Sequence, residues 1–394
     1  MEDPNMYDFE TQVVHAGTEP DPLTGALVPP IYQTSTFVFK NADHGAALFR
    51  GEEEGYIYSR IGNPTTDRLA YKMSILERGE DGLVCSSGLS ATLCSVLAFV
   101  KGGEHMVSDG VIYGGTFCQF SNELANMGIE TSFVDTSNLD EVESAIRPNT
   151  KLIWTETPAN PTLKIVNIKV LANLAKSKNL PLVVDNTFAT PALQRPLELG
   201  ATMVVHSATK YIGGHGDVVA GIIVGNKDDI KRARDIRGHL GVNLGPFEAW
   251  LLLRGLKTLS LRMKKHSANA MEIAKYLEKH PRVEVTRYPG LESDAGHVTA
   301  KKQMSDFGGM VTFDVKGGIK AGKKVMDNVK LCILAVSRGD CETLIEHPAS
   351  MTHSSLTPEE LVEANITEGM IRLSVGIESP KDLIADLDYV LGLI

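Results

Sequence analysis

The sequence predicts an α/β protein with a large domain on a mostly parallel sheet and a smaller C-terminal α/β domain. Three observations carry this expectation. Between Asn63 and Asn226, short apolar runs alternate with helical stretches, the pattern of parallel strands joined by crossover helices and covered on both faces. At 394 residues the chain is too long for one ordinary core, so two domains are expected. After a long helical segment from about Pro246 to His280, strands and helices alternate again to the end of the chain. The expected divisions are an N-terminal arm over 1–60, a large domain over 61–250 and a small domain over 251–394.

The arm comes first. To about Gly55 the chain is rich in Pro, Gly and Thr, and Gly25-Ala26-Leu27-Val28-Pro29-Pro30-Ile31-Tyr32 reads as extended. Such a segment buries little by itself and is expected to lie on another surface, such as that of a second subunit. Strands follow at 81–85, 105–108, 131–134, 152–156, 182–185, 203–206 and 220–224, with a helix over 89–100 that Gly102-Gly103 ends. In the second half, strands are expected at 283–285, 309–315, 331–336 and 370–374, with helices at 361–364 and 380–391. The helical segment 246–280 is expected to break once.

Composition excludes several function classes. The 39 basic and 49 acidic residues give a net charge of −10 without a long run of either sign. That balance argues against nucleic acid or an anionic membrane as partner. No apolar run reaches membrane-spanning length, and Met1-Glu2-Asp3-Pro4 lacks the basic and apolar regions of a signal peptide. Five cysteines with no C-x-x-C spacing argue against a disulfide framework or a zinc site, and fit a reducing cytoplasm. No metal site is expected. A dinucleotide-dependent dehydrogenase is disfavoured, because no G-x-G-x-x-G follows the first strand.

The chemistry concentrates in a few stretches. Val183-Val184-Asp185 is an apolar strand ending in a carboxylate, and ligands of open α/β sheets bind at the carboxyl ends of strands. An Asp there can pair with a protonated pyridine nitrogen and make the ring an electron sink. Downstream, Ser207-Ala208-Thr209-Lys210 ends in a lysine flanked by hydroxyls. A desolvated lysine near other cations loses its proton readily, as Schiff-base chemistry requires. Ser86-Ser87-Gly88-Leu89-Ser90 links a strand to a helix start, where free N–H groups suit a phosphate. Taken singly, each stretch also reads as an ordinary cap, turn or surface lysine; together and in this order they favour pyridoxal 5'-phosphate (PLP).

Tyr58-Ser59-Arg60-Ile61-Gly62-Asn63-Pro64-Thr65, Tyr113-Gly114-Gly115-Thr116, Glu156-Thr157-Pro158-Ala159-Asn160-Pro161, Ser207-Ala208-Thr209-Lys210-Tyr211, Ala335-Val336-Ser337 and Ile371-Arg372-Leu373-Ser374-Val375-Gly376 resemble, in order, the signatures of the Cys/Met-metabolism (trans-sulfuration) PLP enzymes. The resemblance runs from about Thr11 to Leu391. It implies the PLP-dependent fold type I, that of the aspartate aminotransferases, and a homotetramer built as a dimer of dimers with shared active sites. It further implies that Lys210 binds the cofactor covalently and moves protons, that Asp185 holds the pyridinium, and that Tyr113 stacks on the ring and protonates the leaving thiol. Gly88, Leu89, Ser207 and Thr209 would hold the phosphate, with Tyr58 and Arg60 reaching it from the neighbouring subunit. Asn160 would contact the phenolic oxygen of the cofactor, and Arg372 with Ser337 would bind the substrate carboxylate.

Members of this family share a site and differ in the fate of the carbanion. Cystathionine enzymes typically carry an acidic residue before Tyr-Ser-Arg and a Glu before the small-domain serine, whereas this chain has Ile57 and Val336. Neither can pair with the distal amino group of cystathionine, and both suit a thioether methyl. The resemblance therefore points to the methionine γ-eliminating members, acting on methionine and homocysteine. Against that stand Gly115, where those members usually have Cys, Arg237-Gly238 in place of their usual Lys-Asp, and Arg338 in place of a usual leucine. Cystathionine γ-lyase or γ-synthase, O-acetylhomoserine sulfhydrylase and a non-catalytic PLP-binding protein are the alternatives.

Overall fold

Period-two alternation of buried side chains organises the larger sheet of this computed structural model, which describes residues 4–352, 354, 357, 361 and 365–394. The sheet comprises β1 (Asp81–Cys85), β2 (His105–Asp109), β3 (Glu130–Val134), β4 (Thr150–Glu156), β5 (Leu182–Asp185), β6 (Met203–Ser207) and β7 (Gly221–Gly225). Its spatial order is β1-β7-β6-β5-β4-β2-β3. Leu83, Met106, Trp154, Val183, Val205 and Ile223 point to one face, where they pack with Ala91, Cys94 and Ile230 of the covering helices. Val84, Ile222 and Val224 point to the other face, against Leu69, Met73, Leu252 and Leu256. Val107, Ile153 and Val184 continue that second face against Leu171 and Ala175. Burying both faces explains why these strands read as continuous apolar runs.

One strand departs from the expected parallel arrangement. β7 runs antiparallel to both β1 and β6, while the other pairings are parallel. A parallel pairing of β6 and β7 would need a helical crossover over one face. The segment between Ser207 and Gly221 instead stays at the carboxyl end of β6, and it carries Lys210 there.

The second sheet has the order β10-β11-β12-β9-β8, from β8 (Val283–Arg287), β9 (Met310–Val315), β10 (Ile333–Leu334), β11 (Leu344–Glu346) and β12 (Met370–Ser374). Sequence pattern does not indicate β11, and the strand expected over 331–336 contracts to two residues. β11 is three residues long, too short to display a period. The expected break in the long helical segment falls between helices Pro246–Leu256 and Leu259–Leu277. The latter feeds both cores: Leu259 and Met263 pack with the large sheet, and Ala270, Ile273 and Leu277 with Phe313, Ile371 and Leu387 of the second. The C-terminal helix spans Pro380–Leu391 as expected. The helix expected over 361–364 lies, apart from Leu361, outside the described residues. Among the described residues no helix is long and apolar enough to cross a membrane.

Candidate active site

The carboxyl ends of β4, β5 and β6 converge with the start of the helix Gly88–Leu97 on a cavity of about 270 Å³. Gly88, Leu89, Tyr113, Asn160, Asp185, Ser207, Thr209 and Lys210, all singled out from sequence, line it together with Glu156, Thr187, Phe188 and Arg338.

The helix start forms one end of the cavity. Ser87 caps it reciprocally: its Oγ accepts from Ser90 N at 3.1 Å, and Ser90 Oγ accepts from Ser87 N at 2.8 Å. The first N–H groups of a helix have no intrahelical partner, and the residues that carry the uncapped ones, Gly88 and Leu89, line the cavity, as suits an anion. Gly88 permits the close approach, because a Cβ there would lie 2.8 Å from the Cβ of Ser207. The Ser207 N–H donates to Thr187 Oγ1 at 2.8 Å. The Thr209 hydroxyl exchanges hydrogen bonds with the backbone of Ala220, accepting from its N–H at 3.0 Å.

Asp185 ends β5 and is buried. Its Oδ1 accepts from Thr187 N and Thr187 Oγ1 at 3.0 and 2.5 Å, and Oδ2 accepts nothing among the described residues. Burial raises its pKa, while the Thr187 hydrogen bonds and the charges of His206 and Arg338 pull it back. Glu156 occupies the matching position on β4, directly opposite Asp185 in the register. Its two oxygens accept from Tyr113 N at 2.8 Å and Asn160 N at 2.9 Å. Burial, and then the neighbouring Asp185, push the Glu156 carboxyl up to about 8. Glu156 thus ties two cavity residues to one strand end. Sequence reading quoted Glu156 without giving it a role, although an apolar strand ending in a carboxylate is the signal that marks Asp185.

Lys210 Nζ lies 3.5 Å from Ser337 Oγ. Burial, followed by the charges of Arg338 and Arg372, brings the Lys210 ammonium down to about 8. Arg372 is 4% exposed; its Nη1 donates to Asn160 Oδ1 at 2.8 Å and pairs with Glu346 Oε1 at 2.9 Å, and its Nη2 donates to the Val336 carbonyl at 3.2 Å. Glu346 faces Arg372 across the β11–β12 pair. It escaped the sequence reading together with its strand.

Tyr58, Arg60, Ile57, Val336 and Gly115, also singled out from sequence, lie apart from the cavity wall, whereas Arg338 lines it. Tyr58 and Arg60 are exposed, with the guanidinium of Arg60 5.7 Å from the Tyr58 ring and donating to the Gly238 carbonyl at 2.6 Å. Ile57 is half-buried beside the arm, and its carbonyl accepts from Phe37 N. Val336 is more than half exposed. Gly115 gives Tyr113 room, because a Cβ at that position would meet the Tyr113 ring at 2.6 Å. Arg338 lies between two aromatic faces, its guanidinium 5.4 Å from the Tyr113 ring and 5.1 Å from the Phe188 ring.

This arrangement fits PLP on the chain's own donors. An amine with a lowered pKa, a buried carboxylate with one unoccupied oxygen and a helix start with free N–H groups surround a single cavity.

The family model described as Cys/Met metabolism PLP-dependent enzyme matches residues 10–392. An L-methionine gamma-lyase of Fusobacterium nucleatum subsp. polymorphum is 51% identical over 385 residues, 97% of each chain. A cystathionine gamma-lyase of Bacillus subtilis (strain 168) is 45% identical over 383 residues, 97% of this chain and 98% of its own. Among solved structures, the crystal structure of metB from Corynebacterium glutamicum superposes with a TM-score of 0.94 at 43% identity, covering 99% of both chains.

Proposed function

The chain belongs to the Cys/Met metabolism PLP-dependent enzymes, and from that premise we propose that it cleaves L-methionine by α,γ-elimination. With one water consumed, the products are methanethiol, 2-oxobutanoate and ammonia; homocysteine is a further substrate. The observation that carries this reading is the convergence of Lys210, Asp185 and Tyr113 on one cavity, in a chain half identical to an L-methionine gamma-lyase.

PLP, when bound, supplies an electron sink for negative charge at the substrate α-carbon. The free oxygen of Asp185 would pair with the ring nitrogen of the cofactor, Gly88, Leu89, Ser207 and Thr209 would hold its phosphate, and Asn160 would contact its phenolic oxygen. Lys210 would take the proton from the substrate α-carbon, a task suited to an amine whose pKa is lowered to about 8. Tyr113, held by its backbone N–H on Glu156, donates a proton to the departing sulfur. Arg372 and Ser337 bind the substrate carboxylate, and Ile57 and Val336 offer no partner to an ammonium group at the distal end.

The apolar side chains of the arm support a shared site. Leu27 and Val38 are 76% and 96% exposed in this chain, and large apolar side chains left bare along one extended segment suit an interface. In our reading a second subunit covers it, Tyr58 and Arg60 reach that subunit's phosphate site, and two such dimers form a tetramer. Sedimentation velocity on the active enzyme checks this: the expected species is a dimer or larger, and an active monomer overturns the shared site. The reducing cytoplasm is the expected compartment.

One observation favours a second reading. Gly115 is the residue usual in cystathionine enzymes, and its lack of a Cβ lets the Tyr113 ring pack against it, where a side chain would shift the ring. The decisive assay supplies the PLP-loaded enzyme with L-methionine and, separately, with L-cystathionine, measuring 2-oxobutanoate and free thiol. The expected result is methanethiol with 2-oxobutanoate from methionine and little product from cystathionine. Cysteine and 2-oxobutanoate from cystathionine, with methionine inert, would reverse the assignment.

A further inference from the structure

Arg338 differs from every other cation at the cavity. It is 5% exposed, yet neither Nε nor Nη1 has a hydrogen-bond partner, and no carboxylate lies within ion-pair distance among the described residues. Other buried guanidiniums among the described residues donate to backbone carbonyls or a carboxylate through both terminal nitrogens, although the Nε of Arg237 is also unpartnered. Arg262 donates to the carbonyls of Tyr211 and Gly255 at 2.6 and 2.8 Å, and Arg237 to those of Ile61 and Val84 at 2.6 and 3.3 Å. Arg372 has Glu346 at 2.9 Å. Two aromatic faces offset part of the lost hydration of Arg338, and the carboxylates of Glu156, Asp185 and Glu346 act on it only from beyond ion-pair distance, so its buried N–H groups are left without an acceptor, which is unfavourable.

We propose that Arg338 is a specificity-determining residue that receives an anion carried on the γ-substituent of the substrate, so that the enzyme prefers amino acids with an acidic leaving group over uncharged ones of the same shape. This assignment rests on the reading of the cavity as a γ-elimination site. Position supports the leaving-group end. Arg372 is tied to Asn160 and to the small-domain strand pair, where the α-carboxylate is assigned. The Arg338 guanidinium lies over the ring of Tyr113, the acid assigned to the departing sulfur. A substrate with a single carboxylate satisfies one of these two arginines. A second carboxylate on the sulfur substituent satisfies the other and gives Arg338 the charge-assisted hydrogen bonds its free N–H groups lack. For S-carboxymethyl-L-homocysteine the Cγ–S bond breaks and the sulfur keeps the electron pair and gains a proton. With one water consumed, the products are mercaptoacetate, 2-oxobutanoate and ammonia.

Two matched pairs of compounds test the proposal on the PLP-loaded enzyme. In turnover, S-carboxymethyl-L-homocysteine is compared with S-isobutyl-L-homocysteine, which has nearly the same shape and no charge. In calorimetric binding, L-2-aminoadipate is compared with L-norleucine, neither of which carries a leaving group. The expected native preference for the acidic member is about tenfold or more in both kcat/KM and Kd, tenfold being about 1.4 kcal/mol. The preference disappears in Arg338→Leu and survives in part in Arg338→Lys, with circular dichroism and cofactor absorbance checking that both variants fold and load. A native enzyme that favours the uncharged members overturns the proposal. So does an Arg338→Leu variant that loses affinity for both members equally, which would assign Arg338 to the α-carboxylate. If no thioether is turned over but the binding preference follows Arg338, the elimination reading fails while the assignment of Arg338 stands.

Discussion

Replacing Lys210 with alanine is expected to lower methionine turnover by about four orders of magnitude or more, the scale seen when a covalent catalytic group is removed. Among the described residues Lys210 is the only lysine on the cavity wall, so no neighbouring amine there can take its place. Lys210→Arg keeps a cation and is expected to be equally inactive, because a guanidinium stays protonated at working pH and cannot act as a nucleophilic amine. The pH dependence carries the sign of the environment. Burial, Arg338 and Arg372 all disfavour the ammonium form and bring the Lys210 pKa from 10.5 to about 8. The rate at which the native apo-protein captures PLP is therefore expected to rise with pH around a midpoint of about 8, followed by the visible absorbance of the bound cofactor. Removing the nearby cation in Arg338→Leu is expected to move that midpoint upward. A native midpoint near 10 would show that Lys210 does not feel this environment.

Arg372→Leu is expected to damage stability and activity separately. Arg372 and Glu346 form an ion pair with both side chains nearly inaccessible, at 4% and 1% exposure. Truncating one partner of such a pair costs about 3–5 kcal/mol, because the other charge is left buried and alone. Glu346 is held above its ordinary value by burial and pulled down by Arg372 and then Arg338. Losing Arg372 therefore raises it further. A carboxyl that is protonated when folded and ionised when unfolded loses stability as pH rises above its unfolded pKa. The variant's deficit is accordingly expected to grow from about pH 4.5 upward, measured by urea unfolding at several pH values. Arg372→Leu combined with Glu346→Gln is expected to recover most of the stability and lose the added pH dependence. It should not recover the KM for methionine, expected to rise about a hundredfold or more with the loss of the carboxylate's charge-assisted partner. If the double variant were no more stable than the single one, the buried pair would not be the source of the deficit.

Much of this molecule is legible from local sequence. The strands of the larger sheet appear within a residue or two of their expected places, because each is an apolar run of four to seven residues bounded by turn chemistry. The short strand Leu344–Glu346 shows the limit, since three residues carry no period. The reversed direction of β7 was also hidden. Pattern along a strand reports which faces are buried and says nothing about which way its neighbour runs.

The same division holds at the site. Asp185 at a strand end, Lys210 among hydroxyls and Gly88 at a helix start each have a local signature, and the sequence by itself determined that these groups exist and what chemistry they suit. Tertiary structure alone decided that Glu156 faces Asp185 across β4 and β5, that Glu346 neutralises Arg372 across β11 and β12, and that Arg338 lies unpaired between Tyr113 and Phe188. Strand order and register bring residues distant in the chain within a few ångströms. Once they are buried together, the low local dielectric makes their charges interact far more strongly than water would allow.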